Sequence, residues 1–306
     1  MQLLSEFRYP TRWYSKLIAA VLALGFFTLL AALIISGYAV YSVVNPSGGT
    51  ETIDLANFPG HPEDVSYSVG GKGSQDGWFF PGLKSAPTIL LCPGYRVDRE
   101  ELLPLATALQ DHQYNVFLFD FGIPGSSVGR STLGFREVQE LRAAISVVAE
   151  RSDVDRSRFG LWGTNVGAYA AIAVAESDPR VRAVSVESVY DRPQDMLHLL
   201  IGRTGLATLP MLTSFTQNGF LWLNYQSKDT PPLSARIARL NGVPKLFLEA
   251  GDETELGKLT HQLFSLAPDP KEEASISRGN YAGMLDDEKR TYENRILSFF
   301  LLNLPQ

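Results

Sequence analysis

The sequence predicts an α/β domain built on a mostly parallel sheet and preceded by one transmembrane helix. Two observations predict this architecture. After residue 60, short apolar runs alternate with amphipathic stretches, the pattern of β-α units with helices on both faces of a sheet. Before that, residues 17–44 form an uncharged run of 28 residues, which exceeds the roughly 20 that cross a hydrocarbon core as a helix.

The composition of the 306-residue chain excludes several classes of protein. The net charge of −6 argues against a nucleic-acid binder, and 45% hydrophobic residues exclude intrinsic disorder. A single cysteine, Cys92, excludes an internal disulfide framework and a cysteine-based metal cluster. Residues 1–16 carry a net charge of +2, whereas residues 45–306 carry 24 basic and 32 acidic side chains, a net charge of −8.

The uncharged run at 17–44 is interpreted as a single-pass membrane anchor. Interfacial aromatic residues flank it: Trp13 and Tyr14 before, Tyr38 and Tyr41 near its end. A secretory signal peptide is the alternative, but its apolar region spans only about 7–15 residues. A buried core helix is the other alternative, although such helices are rarely apolar on every face.

The charge asymmetry predicts an orientation in the cell membrane. The short basic tail, residues 1–16, stays cytoplasmic, and the folded part is extracytoplasmic. Residues 45–60 are predicted to form a stalk, because they are rich in Gly, Pro and polar side chains. The remaining residues, 61–306, form the folded domain.

Within the folded domain the apolar periodicity predicts strands and helices in alternation. Strands are predicted over 88–92, 115–120, 159–162, 181–186, 245–250 and 274–277, and helices over 99–112, 135–148, 166–176 and 286–302. Residues 192–240 interrupt this rhythm with an apolar insertion. It is either a lid over a binding pocket or a set of helices that pack on the core. An apolar lid beside a membrane would suit a lipid-like ligand.

The most informative motif lies at residues 160–167, where a predicted strand enters a turn bounded by glycines and then a helix. This is the geometry of a nucleophile elbow, whose pattern G-x-S-x-G places a serine at the tip. The glycines allow the strained turn and close packing of the helix on the strand. Here the tip residue is Asn165.

Residues 61–302 resemble the α/β-hydrolase superfamily, in its serine-aminopeptidase-like and acyl-hydrolase-like branch. The motifs that carry the resemblance occur in the family's order. They are an early hairpin at 76–81, an oxyanion loop at 92–96, a D-x-R-G-x-G-x-S-like segment at 119–127, the elbow with its approach at 154–167, and the strand at 243–248 before the acid.

The resemblance implies a Ser/acid/His triad, and two of its members are replaced here. The nucleophile position is Asn165, the acid position falls at Asp252 or Glu253, and the histidine position falls at Asn280 or Tyr281. By the same resemblance, the backbone N–H groups of Tyr95 or Arg96 and of Val166 would form the oxyanion hole. A neutral amide has no proton for a base to remove, and tyrosine, with an ordinary pKa near 10, is a poor substitute for imidazole.

None of the four histidines, His61, His112, His198 and His261, falls where the fold needs one, and each is expected to serve an ordinary surface or cap role. Three alternative functions for a site without the Ser/His pair remain open. Thr164 or Ser126 would serve as a displaced nucleophile, or Asn165 would deamidate to aspartate. In the third, favoured over the other two, the backbone N–H groups would still bind an anion without turnover.

The sequence therefore predicts a membrane-anchored, α/β-hydrolase-like protein with a degraded triad. It would act as a non-catalytic binding or regulatory module for a small acyl or lipid-like ligand or for a protein partner. The alternative is an active hydrolase of an ester, thioester or amide with an atypical site, and a third interpretation is that the elbow has been misread. No metal cluster and no cofactor is predicted, and the partners are the bilayer and this ligand rather than nucleic acid. The sequence does not predict the oligomeric state.

Overall fold

The computed structural model describes residues 13–45, 60–70, 74–122, 130–205, 208–227 and 229–306. Most of the predicted tail (1–16) and stalk (45–60), and Ser126, lie outside the described residues. The chain divides into two compact units. The smaller comprises Met1–Val43 with His198–Lys228, and the larger comprises Val44–Leu197 with Asp229–Gln306.

The described residues form eight α-helices and eight β-strands. In chain order they are α1 (Trp13–Val44), β1 (Glu63–Ser68), β2 (Ser74–Phe80), β3 (Thr88–Cys92), α2 (Leu103–Asp111), β4 (Asn115–Phe119), α3 (Phe135–Ala149), β5 (Phe159–Thr164), α4 (Val166–Ala175), β6 (Val181–Glu187), α5 (Pro193–Arg203), α6 (Pro210–Leu223), β7 (Lys245–Ala250), α7 (Thr254–Leu266), β8 (Lys271–Ile276) and α8 (Asp286–Asn303).

The larger unit is built on one eight-stranded sheet in the order β1-β2-β4-β3-β5-β6-β7-β8. The two pairings of β2, with β1 and with β4, are antiparallel, and all the others are parallel. The predicted mostly parallel sheet is therefore confirmed. The last strand begins at Lys271, three residues before the prediction. Its charged first residues hide it from an apolar pattern, and such residues are typical of an edge strand.

Helices cover both faces of this sheet. Successive side chains of each strand point to opposite sides, so an apolar strand presents apolar side chains on both faces. On one face, Ile89 and Leu91 of β3 belong to a buried cluster with residues of α2 and α8. On the other, the Phe247 ring of β7 lies 5.8 Å from the Phe264 ring of α7. The central strands β3, β4 and β5 are buried at every position, as expected for strands covered on both sides.

The parallel strands bring their carboxyl ends to one edge of the sheet. In the pairing registers Cys92 lies opposite Gly163, and Thr164 lies opposite Glu187, which in turn lies opposite Leu248. Open α/β sheets place ligands at this edge. The residues that follow β3, β5, β6, β7 and β8 are therefore the ones from which a site can be assembled.

The smaller unit contains α1 and α6, together with the end of α5. The 32 residues of α1 make a helix about 48 Å long at 1.5 Å per residue, and it is long and apolar enough to cross a membrane. It begins at Trp13, four residues before the uncharged run. The Ser36 hydroxyl donates to the Leu212 carbonyl oxygen at 3.3 Å, which joins α1 to α6.

Candidate active site at the elbow

The turn between β5 and α4 has the geometry of a nucleophile elbow. The backbone of Asn165 adopts a positive φ of 34° with ψ −97°, a conformation that residues other than glycine rarely adopt. A Cβ placed on Gly167 would lie 2.1 Å from the Cys92 carbonyl oxygen, and one on Gly163 would lie 2.6 Å from the Gly167 backbone. Both glycines are therefore required for α4 to pack against β3 and β5.

The side chain of Asn165 folds back onto the two backbone donors that the sequence assigned to an oxyanion hole. Its Oδ1 accepts a hydrogen bond from the Tyr95 N–H at 2.6 Å and another from the Val166 N–H at 2.6 Å. The predicted pair of donors thus converges on one point, and the protein's own amide oxygen occupies that point. The Arg96 guanidinium lies 5.4 Å from the Tyr95 ring centre.

This arrangement determines what the elbow can do chemically. An oxyanion hole acts when its donors lie about 2.7–3.1 Å from the oxygen that becomes charged in the transition state. With Oδ1 of Asn165 bound to both N–H groups, a substrate oxygen gains them only if the amide swings away. Asn165 is also the N-cap residue of α4, so the same contact stabilises the start of that helix.

The displaced-nucleophile alternative has little support from the position of Thr164. This residue ends β5 and is only 4% exposed, so its hydroxyl is buried beneath the turn. A Cβ built on Gly94 would lie 2.8 Å from its Oγ1, which shows how closely the loop after β3 covers it. Ser126, the other candidate, lies outside the described residues.

The acid position follows β7, and the structure places both candidates there. Asp252 is exposed, and its Oδ1 accepts a hydrogen bond from the Gly279 N–H at 2.8 Å, which ties the loop after β7 to the loop after β8. A Cβ on Gly279 would lie 3.3 Å from Oε2 of Glu253. Asp252 and Glu253 therefore flank the loop in which the family carries its histidine.

Among the described residues, neither candidate at the histidine position forms a hydrogen bond with Asn165. Asn280 is exposed, and Tyr281 is buried, with its hydroxyl donating to Glu293 of α8. Burial and the Glu293 carboxylate both raise the pKa of Tyr281 far above its ordinary value. A neutral phenol engaged in this way cannot take a proton from a nucleophile near neutral pH.

The structure adds a carboxyl group that the sequence did not single out, Glu187 at the end of β6. It is fully buried, and its Oε2 accepts a hydrogen bond from the Tyr292 hydroxyl at 2.6 Å. That hydroxyl in turn accepts one from the Trp162 indole N–H at 3.0 Å. Among the described residues Oε1 of Glu187 has no hydrogen-bond partner, and the Cβ position of Gly279 lies 3.3 Å from it.

Burial is the main reason why Glu187 behaves as an unusual acid. Desolvation raises its pKa to about 8, the Tyr292 hydrogen bond opposes this rise, and the charges of Glu253 and Asp252 add to it. Burial therefore favours the protonated form of this carboxyl group. The only signal in the sequence was an acidic residue at the end of an apolar strand, and Tyr292 lies 105 residues away along the chain.

All four histidines are exposed. His112 contacts the Ala108 carbonyl oxygen of its own helix. His261 of α7 lies between two carboxylates, 2.9 Å from Glu273 and 3.2 Å from Glu249, and Glu273 is the main cause of its raised pKa. One ligand atom from each of these three lies within 4.8 Å of the others, the closest grouping to a metal site among the described residues.

Comparisons with known proteins bear on the fold. No protein-family model matches the chain. YfhR of Escherichia coli O157:H7 is 26% identical over 259 residues, which cover 81% of this chain and 84% of YfhR. A protein of Mycobacterium tuberculosis strain H37Rv is 36% identical over 200 residues, which cover 64% of this chain and 63% of that protein.

Among solved structures, the Pyrococcus furiosus esterase Pf2001 is similar to this chain with a TM-score of 0.65 and 17% sequence identity. The match covers 86% of this chain and 98% of the esterase. The chain therefore has the α/β-hydrolase fold that its motifs predicted.

Proposed function

We propose that this chain is a membrane-anchored, α/β-hydrolase-like protein that does not hydrolyse by Ser–His chemistry. It would act as a binding or regulatory module for a small acyl or lipid-like ligand or for a protein partner. One observation carries the proposal: Oδ1 of Asn165 accepts both hydrogen bonds from the Tyr95 and Val166 N–H groups. The nucleophile position thus holds no nucleophile, and its amide fills the place of the oxyanion.

The surroundings of the elbow support the same conclusion. Ser–His catalysis needs a base within hydrogen-bond reach of the nucleophile. The Tyr281 hydroxyl donates to Glu293, and all four histidines are exposed. An acyl-type ligand is the first class to test because the structural neighbour Pf2001 is an esterase.

Membrane anchoring is part of the proposal. In it, α1 crosses the bilayer, residues 1–16 stay cytoplasmic and the hydrolase-like domain lies on the other side. The length of α1, its uncharged run and the positive tail support this topology. Resistance to carbonate extraction tests the anchor. The orientation is tested by protease digestion of sealed vesicles, in which the domain should be degraded only from the extracytoplasmic side.

A second candidate function is an active hydrolase with an atypical acid, and Glu187 is the observation that favours it. Burial raises the pKa of its carboxyl to about 8, and one of its oxygens has no partner among the described residues. Such a group could serve as a general acid. Its complete burial weighs against this, because a substrate would first have to displace the Gly279 loop.

Turnover of a short activated ester, such as p-nitrophenyl butyrate, separates the two candidates. The purified full chain in lipid nanodiscs should hydrolyse it at the background rate, and Asn165→Ala and Asp252→Asn should leave that rate unchanged. Turnover above background that falls in Glu187→Gln, Asp252→Asn or Tyr281→Phe would instead favour the atypical hydrolase. An active esterase assayed in parallel controls for the substrate and the nanodiscs.

A further inference from the structure

The run from residue 204 to residue 227 contains 24 residues and no charged side chain. Apart from the anchor run, it is the longest uncharged stretch in a chain whose residues are 20% charged, and Arg203 and Lys228 bound it. Residues 159–175 are also uncharged, but the domain core buries nearly all of them. Burial does not explain the run at 204–227, because half of its described residues are exposed.

The exposed side of α6 carries no charge and combines large apolar side chains with the polar Ser214 and Asn218. Its buried side consists of Leu212, Thr216 and Phe220, which are spaced four residues apart. The opposite side carries Met211 and Trp222, and their side chains are 47% and 76% exposed. A helix in water would carry charged side chains on this face.

The residues on either side of α6 extend the apolar surface. Leu209 precedes the helix, and Leu223 and Tyr225 lie at and just after its end. Each of the three is about half exposed or more. A group of exposed large apolar side chains among polar residues is typical of an interaction site.

Two contacts within the smaller unit place α6 against the far end of α1. The Ser36 hydroxyl is buried and bonds to the Leu212 carbonyl oxygen. A Cβ on Gly219 would lie 3.3 Å from the Val40 side chain, so the two helices approach closely there. Small residues at the contact and a hydroxyl bonded across it are typical of helices that pack inside membranes.

The length of the uncharged run in α1, residues 17–44, indicates how deep in the membrane this contact lies. Its 28 residues span about 42 Å, whereas the hydrocarbon core is about 30 Å thick. If the core begins just after Lys16, its far boundary falls near Ser36. The α1–α6 contact at Ser36 and Val40 therefore lies at the far lipid–water boundary.

We propose that α6 and the residues beside it lie in that boundary, with Met211 and Trp222 directed into the lipid. This inference rests on the proposed membrane anchoring. The occupant of this surface is the bilayer that α1 crosses, since α6 packs against α1 at Ser36 and Val40. Trp222 and Tyr225 are the residue types that interfacial helices place at this level.

The test measures quenching of tryptophan fluorescence by phosphatidylcholine brominated high on its acyl chains. The full chain is reconstituted in vesicles of this lipid or of its unbrominated counterpart. Trp78 and Trp162 are buried in the domain, so Trp13 and Trp222 are the exposed reporters. The Trp13→Phe variant isolates Trp222, and the matched Trp222→Phe variant isolates Trp13, which reports on α1 alone.

We expect the Trp13→Phe variant to lose emission in brominated vesicles and to resist quenching by aqueous iodide. If Trp13 is quenched by the brominated lipid but Trp222 is quenched only by iodide, the anchor stands and the placement of α6 is wrong. If neither tryptophan responds to the brominated lipid, both the anchor and this inference are wrong.

Discussion

Replacing Asn165 with alanine removes the acceptor on which the account of the elbow rests. Oδ1 makes two hydrogen bonds of 2.6 Å, and each neutral bond contributes about 0.5–1.5 kcal/mol net. Alanine also tolerates the positive φ of this position less well than asparagine. We therefore expect the free energy of unfolding to fall by about 1–3 kcal/mol, and the melting temperature to fall by about 2–4 °C for each kcal/mol.

The acidic variant provides the contrast. Asn165→Asp keeps an acceptor oxygen and adds a negative charge at the N-terminus of α4, where charge-assisted hydrogen bonds and the helix dipole favour it. We expect Asn165→Asp to melt well above Asn165→Ala at neutral pH. Asn280→Ala is the matched control, because Asn280 is exposed and its side chain should contribute no more than about 0.5 kcal/mol.

Thermal unfolding of the full-length variants in one detergent, followed by intrinsic fluorescence, measures these differences. If Asn165→Ala melts within a degree of the unsubstituted protein, the two hydrogen bonds of Oδ1 do not stabilise the elbow. If Asn165→Asp loses as much stability as Asn165→Ala, the acceptor oxygen is unimportant.

Three further predictions concern the packing and the buried acid. Gly167→Ala should prevent normal folding, because its Cβ would lie 2.1 Å from the last carbonyl oxygen of β3. Gly202→Ala is the control: a Cβ at this position meets open space, so the melting temperature should stay unchanged or rise slightly. Because burial raises the pKa of Glu187 to about 8, the folded protein holds this proton more tightly than the unfolded chain, and stability should fall as the pH rises from about 4.5 towards 8. Glu187→Gln should flatten that part of the profile in denaturation series, and an unchanged slope would rule out this assignment. Tyr292→Phe leaves two buried polar side chains without a partner and should cost about 1–3 kcal/mol in the same assay, so an unchanged midpoint would contradict the hydrogen-bond chain.

Much of the fold could be predicted from the sequence because its signals are local. The apolar runs of β3 and β4 and the glycines around Asn165 each depend on a few neighbouring residues. The absence of a histidine from the loop after β8 is also visible directly. These signals predicted the α/β class, which the structure confirms, and they also predict the elbow and a mismatch with Ser–His chemistry.

The rest of the candidate site depends on contacts between distant residues. Nothing near Asn165 in the sequence shows that its amide turns back onto the Tyr95 N–H, 70 residues earlier. The burial of Glu187 and its bond to Tyr292 arise only when α8 packs on the sheet. The contact between Ser36 and Leu212 joins segments 176 residues apart, and so no local pattern reveals it.

Labelling with a fluorophosphonate shows whether the elbow contains an activated nucleophile. This reagent forms a covalent adduct with an activated hydroxyl, and mass spectrometry of the labelled full chain in nanodiscs identifies the modified residue. We expect no adduct anywhere in the elbow of the unsubstituted protein. An adduct on Thr164 that disappears in Thr164→Ala, or labelling that is lost in Asn165→Ala, would contradict this expectation.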